Sequence, residues 1–362
     1  MTPYELTNPD EVFSPGLVFY EDIIRRNIGT MIQMAGGADY LIPHTKTHKT
    51  VEVLRLQLEA GISRFKVSTI AEAEMAAIAG APWVLLAYPL TGPNVPRFDA
   101  LTRKYPQTAF SALVDHPDAA ETLQAYGEAH NTKFAVFIDV NNGMNRTGVE
   151  IPHLPALAER IRSLSALELK GLHIYDGHLR NPDIAERKKE VDAAFDAVFV
   201  SFSPEPEWMI IAGGTPSFPV HAGRKGIFCS PGTCLLWDWG YGTGLPEQPF
   251  EWAALLLTRV VSKPARGIVT IDLGHKAVSA ENPIDKRVFF PGLTSCELIG
   301  QSEEHGVLRV ENPDDFHIGQ VLYGVPYHVC PTVALHETAS IIRDGRLTET
   351  WTILSRKRRL TV

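Results

Sequence analysis

Between about residue 21 and residue 238 the chain alternates amphipathic stretches with short, nearly continuous apolar runs, the pattern of parallel strands covered by helices. The runs lie at 40–44, 65–68, 83–88, 109–114, 134–140, 169–175, 209–212 and 226–229. Helical periodicity occupies most of the gaps, at 70–79, 118–130, 155–163 and 183–200. Eight such strands with intervening helices predict an α/β fold, a (β/α)8 barrel of the TIM type, with a doubly wound open sheet as the rival arrangement. At 237–249 the alternation stops in a stretch holding Gly240, Gly242, Gly244, Pro246 and Pro249, which reads as a domain boundary. Beyond it, β-type runs at 268–273, 307–310, 321–329 and 350–354 are punctuated by Gly and Pro turns. The expected organisation is a barrel over 15–238 and a mostly β domain built from 1–14 and 239–362.

Charge narrows the class of partner. The 34 Lys and Arg against 42 Asp and Glu leave a net charge of -8, which argues against nucleic acid or an anionic membrane surface. The basic cluster Arg356-Lys357-Arg358-Arg359 is too short to reverse that field and reads as a solvated end. No apolar run nears the roughly 18 residues of a membrane span, and Glu5, Asp10 and Glu11 stand where a secretory leader would be basic and then apolar. A cytoplasmic protein is expected. Its four cysteines, Cys229, Cys234, Cys296 and Cys330, have no C-x-x-C spacing and suggest reduced thiols. The Gly240-Tyr241-Gly242-Thr243-Gly244 stretch is no dinucleotide site, since Pro246 and Pro249 follow where a helix would open.

In such a barrel chemistry sits at the C-terminal ends of the strands. After the first run stands Pro43-His44-Thr45-Lys46-Thr47-His48-Lys49, after the fifth Asn141 to Gly148, after the sixth Tyr175-Asp176-Gly177-His178. Gly213-Gly214-Thr215 follows the seventh and Ser230-Pro231-Gly232-Thr233 the eighth. A strand-end lysine beside two histidines is a candidate carbonyl-trapping amine, because burial and cationic neighbours free its lone pair; a solvated lysine is the plain alternative. The glycines at the seventh and eighth strands suit a phosphate. Arg146 suits a cofactor oxygen, or an ordinary pairing with Asp139. His328-Val329-Cys330 lies in a β-type run, where a spacing of two puts imidazole and thiol on one strand face. That pair suits zinc with open positions left for water or substrate; a core cysteine beside a capping histidine is the alternative.

Together these stretches, with Ile70-Ala71-Glu72-Ala73-Glu74, Ser302-Glu303-Glu304-His305-Gly306 and His328-Val329-Cys330-Pro331, resemble the D-threonine aldolase and D-serine dehydratase family. That family is part of the alanine-racemase-like (fold type III) pyridoxal-phosphate enzymes. The resemblance runs from about Ser14 to Leu335. It implies an alanine-racemase-like barrel with a β domain, a homodimer, a small D-amino acid substrate, and pyridoxal 5'-phosphate with a divalent metal, zinc ahead of manganese. Carried over, Lys46 would hold the cofactor and act as base at Cα, Arg146 would contact its phenolic oxygen and Tyr175 would lie by its ring. Gly213, Gly214 and Thr215 would cradle its phosphate, His178 would act as acid or base near the metal, and His328 with Cys330 would bind the metal. The expected activity is cleavage of D-3-hydroxy amino acids to glycine and an aldehyde. Cys330 stands where aldolases of the family tend to carry Asp, and it points to the alternative, a dehydratase acting on D-serine or D-3-hydroxyaspartate. A racemase is a further alternative, for which no second base is identified.

Overall fold

A computed structural model describes residues 4–200 and 202–362. Residues 1–3 of the expected segment 1–14, and Ser201 of the expected barrel, lie outside the described residues. Two compact units emerge. One comprises Thr30–Lys46, Val51–Gly232 and Lys357–Val362; the other comprises the chain up to Gly29, Thr47–Thr50 and Thr233–Arg356.

The first unit is the parallel barrel. Its strands Arg64–Val67, Trp83–Pro89, Ala109–Val114, Phe134–Asn141, Leu167–Ile174, Met209–Ala212 and Ile227–Cys229 pair in that order, all in parallel. The eighth staves are residues 41–44, which bridge the last strand through Leu41 and Cys229 and the first through His44 and Lys66, closing the circle. Ile42 N–H donates to the Cys229 carbonyl at 2.8 Å and Lys66 N–H to the Pro43 carbonyl at 2.9 Å. This stretch forms bridges rather than a full ladder because Pro43, in its middle, has no N–H to give. All eight runs read from the pattern are therefore barrel staves.

Side chains from five of the eight staves fill the barrel, with Ile42, Leu85, Leu113, Phe137 and Ile211 packed as one cluster and all at most 2% exposed. Phe137 also meets Trp83 edge-on, with centroids 5.8 Å apart. Phe137→Ala should cost about 3–5 kcal/mol of stability, the usual toll of an aromatic deletion in a packed core, read as a lowered midpoint in urea unfolding. Opposite Phe137 the register slips at Gly171. Its φ is +155°, and a Cβ there would lie 1.9 Å from the Met209 carbonyl oxygen, so only glycine fits.

Helix ends follow local chemistry. Ile70–Ala79 begins where the Thr69 hydroxyl accepts from Glu72 N–H and stops at Gly80, which is left-handed at φ 94°. Glu72 in turn accepts from Ser68 N–H at 2.7 Å, a reciprocal cap. The basic cluster is more ordered than a solvated end: Arg97 donates to the Arg358 and Val362 carbonyls, and Thr361 N–H to Glu74. Its side chains at 357–359 are nonetheless exposed.

The second unit is β-rich, with nine strands in one sheet among the described residues. Gly16–Tyr20 lies between Ala254–Ala265, antiparallel, and Thr338–Arg343, parallel. The expected connector at 237–249 contains a short helix, Trp239–Gly244, capped by Asp238. One expectation is overturned. The strand read over 321–329 is Val321–Pro326 only, and His328 is the N-cap of a helix, Val329–Leu335, that includes Cys330. The cause is local: Asp238 captures Val329 N–H at 3.1 Å, and Pro331 sits in the first helical turn, where a missing N–H costs nothing. Among the described residues no helix is long and apolar enough to cross a membrane.

Candidate active site

Because all the barrel strands run one way, the segments that follow them gather at one mouth. Lys46 leaves the first stave half-buried, its N–H donating to His44 Nδ1 at 3.3 Å. Three strands away around the closure, Tyr175 takes the Arg146 guanidinium over its ring at 4.9 Å from the centroid. Gly214 brings its backbone against the same ring, where a Cβ would approach to 2.8 Å. Thr215 is buried and its hydroxyl accepts from Gly232 N–H at 3.2 Å, tying the seventh strand end to the eighth. His178 is exposed and its Nε2 stands 3.4 Å from where a Cβ on Gly143 would lie, so it faces the Arg146 loop. Lys46, Arg146, Tyr175, Gly213, Gly214, Thr215 and His178 thus share the barrel unit. The alternative pairing of Arg146 with Asp139 does not form: Asp139 takes His173 Nδ1 at 2.7 Å and the Thr147 hydroxyl at 2.8 Å.

Beneath these groups runs a buried polar layer that the sequence reading did not single out. Lys66, His173 and Asp139 point into the barrel from the second, sixth and fifth staves, each at most 4% exposed. Burial pulls the His173 imidazole below its ordinary pKa despite the Asp139 bond. Asp139 is pushed up by burial, but the bonds from His173 and Thr147 and the charge of Arg146 overcome this and hold it below the usual carboxylate range. Asp176 holds the turn after the seventh strand from below, accepting from the Ser217 hydroxyl and bonding His221 Nε2 at 2.7 Å. The available signal was a charged or imidazole residue inside a continuous apolar strand, as in Arg64-Phe65-Lys66-Val67.

The residues fit pyridoxal phosphate. Asn142, 7% exposed, has neither amide atom hydrogen-bonded, and it lines a small cavity with Asp139, Arg146 and Tyr175. An orphaned buried amide beside a guanidinium and an aromatic ring is what a polar, planar ligand would satisfy.

In the β-rich unit His328 and Cys330 meet although no strand face joins them. The imidazole is half-buried, bonded to Glu281 through Nδ1 and to the Cys330 sulfur. Burial lowers its pKa, but Cys330, Glu281 and Asp238 outweigh that and raise it to about 9. Cys330 Sγ is also 3.2 Å from Thr47 Oγ1 and 3.7 Å from Thr233 Oγ1. Imidazole with thiol is a donor pair whose softness fits zinc. Among the described residues no group of three or more His, Cys, Asp and Glu is gathered, so the fit is that of a two-donor, open site and not a closed one. Among the described residues no disulfide joins the four cysteines.

Known proteins share both units. Residues 21–212 match the family model described as alanine racemase, N-terminal domain, and residues 253–342 match the putative serine dehydratase domain. The chain is 30% identical to D-threonine aldolase of Arthrobacter sp., over 95% of this chain and 93% of that one. It is 28% identical to 3-hydroxy-D-aspartate aldolase of Paracoccus denitrificans, covering 96% and 92%. The crystal structure of D-threonine aldolase from Filomicrobium marinum superposes with a TM-score of 0.85 at 26% identity, covering 98% of each chain. An alanine-racemase-like barrel followed by a β-rich dehydratase-type domain, with full-length relatives of this kind, makes the chain a member of the D-threonine aldolase and D-serine dehydratase family of pyridoxal-phosphate-dependent enzymes.

Proposed function

We propose that the protein is a lyase of D-3-hydroxy amino acids, cleaving Cα–Cβ to give glycine and an aldehyde. The observation that carries this reading is the pairing of a strand-end amine, Lys46, with the Gly213-Gly214-Thr215 turn in one unit and the His328–Cys330 contact in the other. The 30% identity to a D-threonine aldolase over nearly the whole chain supports the choice of outcome.

When bound, pyridoxal phosphate supplies an electron sink for bonds broken at Cα, and a divalent metal supplies a Lewis acid for the β-oxygen. The chain's own groups do the rest. Lys46 Nζ holds the cofactor and exchanges the proton at Cα. The Gly213-Gly214-Thr215 turn would cradle the phosphate, Arg146 would donate to the phenolic oxygen, and Tyr175 would orient the ring. His178 removes the β-hydroxyl proton, after which Cα–Cβ breaks, the aldehyde departs and Cα is reprotonated to glycine. His328 and Cys330 hold the metal, zinc ahead of manganese because a thiolate is soft. The enzyme acts as a cytoplasmic homodimer in this reading.

A second reading rests on Cys330 and on the dehydratase-type model over 253–342. If Lys46 removes the Cα proton first, the β-hydroxyl leaves as water and hydrolysis yields a 2-oxo acid and ammonia. Racemisation alone gives His328 and Cys330 nothing to do. Incubating the holoenzyme with D-threonine, D-serine and D-3-hydroxyaspartate separates the outcomes. Glycine with acetaldehyde from D-threonine is expected; 2-oxo acid with ammonia establishes the second reading, and the L-enantiomer as sole product overturns both.

A further inference from the structure

One lysine inside the barrel is unused by the chemistry above. Lys66 is 1% exposed, between Phe65 and Val67 at 0%. Its ammonium donates to Ser230 Oγ, lies 3.5 Å from His173 Nε2 and stands 5.2 Å from the Tyr175 ring centroid. Among the described residues it forms no ion pair with a carboxylate, although a buried ammonium is costly without one. Ser230 in turn donates to the Gly213 carbonyl at 2.7 Å. Lys66, Ser230 and Gly213 are thus one hydrogen-bonded chain that ends at the Gly213–Thr215 turn, where Gly213 is left-handed at φ +76°.

The charges around Lys66 come from every side of the barrel. Burial is the main influence and, with Lys46 and Arg146, lowers its pKa to about 7 against the opposing pull of Asp139 and Asp176. Burial disfavours the charged form of His173. Three cationic side chains, Lys46, Lys66 and Arg146, therefore face two carboxylates, Asp139 and Asp176, and protonated Lys66 leaves one positive charge in excess. An anion in the turn above would balance it.

We infer that Lys66 is the buried counter-charge for a phosphate monoester seated at the Gly213–Thr215 turn, a positioning residue that acts through Ser230. This rests on the cofactor reading of the same mouth. A bound dianion that raises the Lys66 pKa by about one unit makes affinity fall about tenfold as Lys66 loses its proton.

Pyridoxamine 5'-phosphate is the suitable probe, since it carries an amine and cannot join covalently to Lys46. Titrated by fluorescence into cofactor-stripped full-length protein from about pH 6.5 to about pH 9, on either side of the Lys66 titration, it should bind about tenfold more weakly at the upper end. Pyridoxamine, without the phosphate, should show no such step. Lys66→Met should bind the phosphate probe weakly and independently of pH, and Lys66→Arg tightly and independently of pH. A flat wild-type profile, the same step in Lys66→Met, or an equal step with pyridoxamine overturns the inference. Should Lys66→Met fail to fold, the wild-type step confined to the phosphate probe, set against the Lys66→Arg profile, decides. Borohydride labelling of Lys46 by pyridoxal phosphate reads the cofactor site separately: a label with a flat profile defeats the Lys66 role alone, whereas no label and no binding defeats the cofactor reading.

Discussion

Lys46→Ala is expected to leave a folded protein with no measurable turnover. The side chain is half-buried at a strand end and contributes no core contact among the residues that fill the barrel, so its truncation should cost about 1 kcal/mol or less. Its chemical cost is of another order. The amine that traps the carbonyl is gone, and so is the base at Cα, whose positioned proton transfer alone is worth about 10²–10⁴-fold. Unchanged circular dichroism and urea midpoint beside a loss of at least about 10⁴-fold in kcat/KM would check both halves. Added primary amines should not restore wild-type rates, because a free amine lacks the fixed approach of a strand-end side chain.

Removing the metal should separate cleavage from cofactor binding. Chelation is expected to suppress cleavage by at least about 100-fold, since Lewis-acid stabilisation at the β-oxygen is worth several kcal/mol. Bound cofactor and its visible absorbance should persist, because Lys46, Arg146 and the Gly213–Thr215 turn belong to the barrel unit and His328 with Cys330 to the other. Cys330→Ala should reproduce the chelated enzyme, with less zinc by elemental analysis. Its helical turn should survive, for the N-cap bond from Val329 N–H to Asp238 does not involve the sulfur. Cys330→Asp replaces a soft ligand by a hard one and should shift the preference toward manganese. Full cleavage by Cys330→Ala with no bound metal would return racemase-type chemistry to consideration.

Much of the barrel could be read from the chain because its signals are strong and local. Staves buried on both faces give unbroken apolar runs, and helix 70–79 is bounded by Thr69 and Gly80, whose side chain and left-handed backbone mark the ends. The strand ends supplied Lys46, Arg146, Tyr175 and the Gly213–Thr215 turn for the same reason: polar residues stood where the apolar runs stopped. What escaped was chemistry inside the runs. Lys66, Asp139 and His173 look like interruptions of an apolar strand until the barrel closes and brings the stave of Lys66 across to the adjacent staves of Asp139 and His173. His328 and Cys330 failed in geometry and held in contact. Their alternation looks like a strand, but the helix start is fixed by Asp238, about 90 residues earlier in sequence, a long-range capture that no local periodicity reports.

The most direct test of the account is where the cofactor attaches. Reducing the holoenzyme with borohydride should fix the pyridoxyl group on lysine, and proteolysis with mass spectrometry should then recover it in the peptide spanning Pro43 to Lys49, on Lys46. Recovery on Lys49 or Lys66 would contradict the assignment of the strand-end amine, and a protein that takes up no label would contradict the reading of the barrel mouth as a pyridoxal-phosphate site.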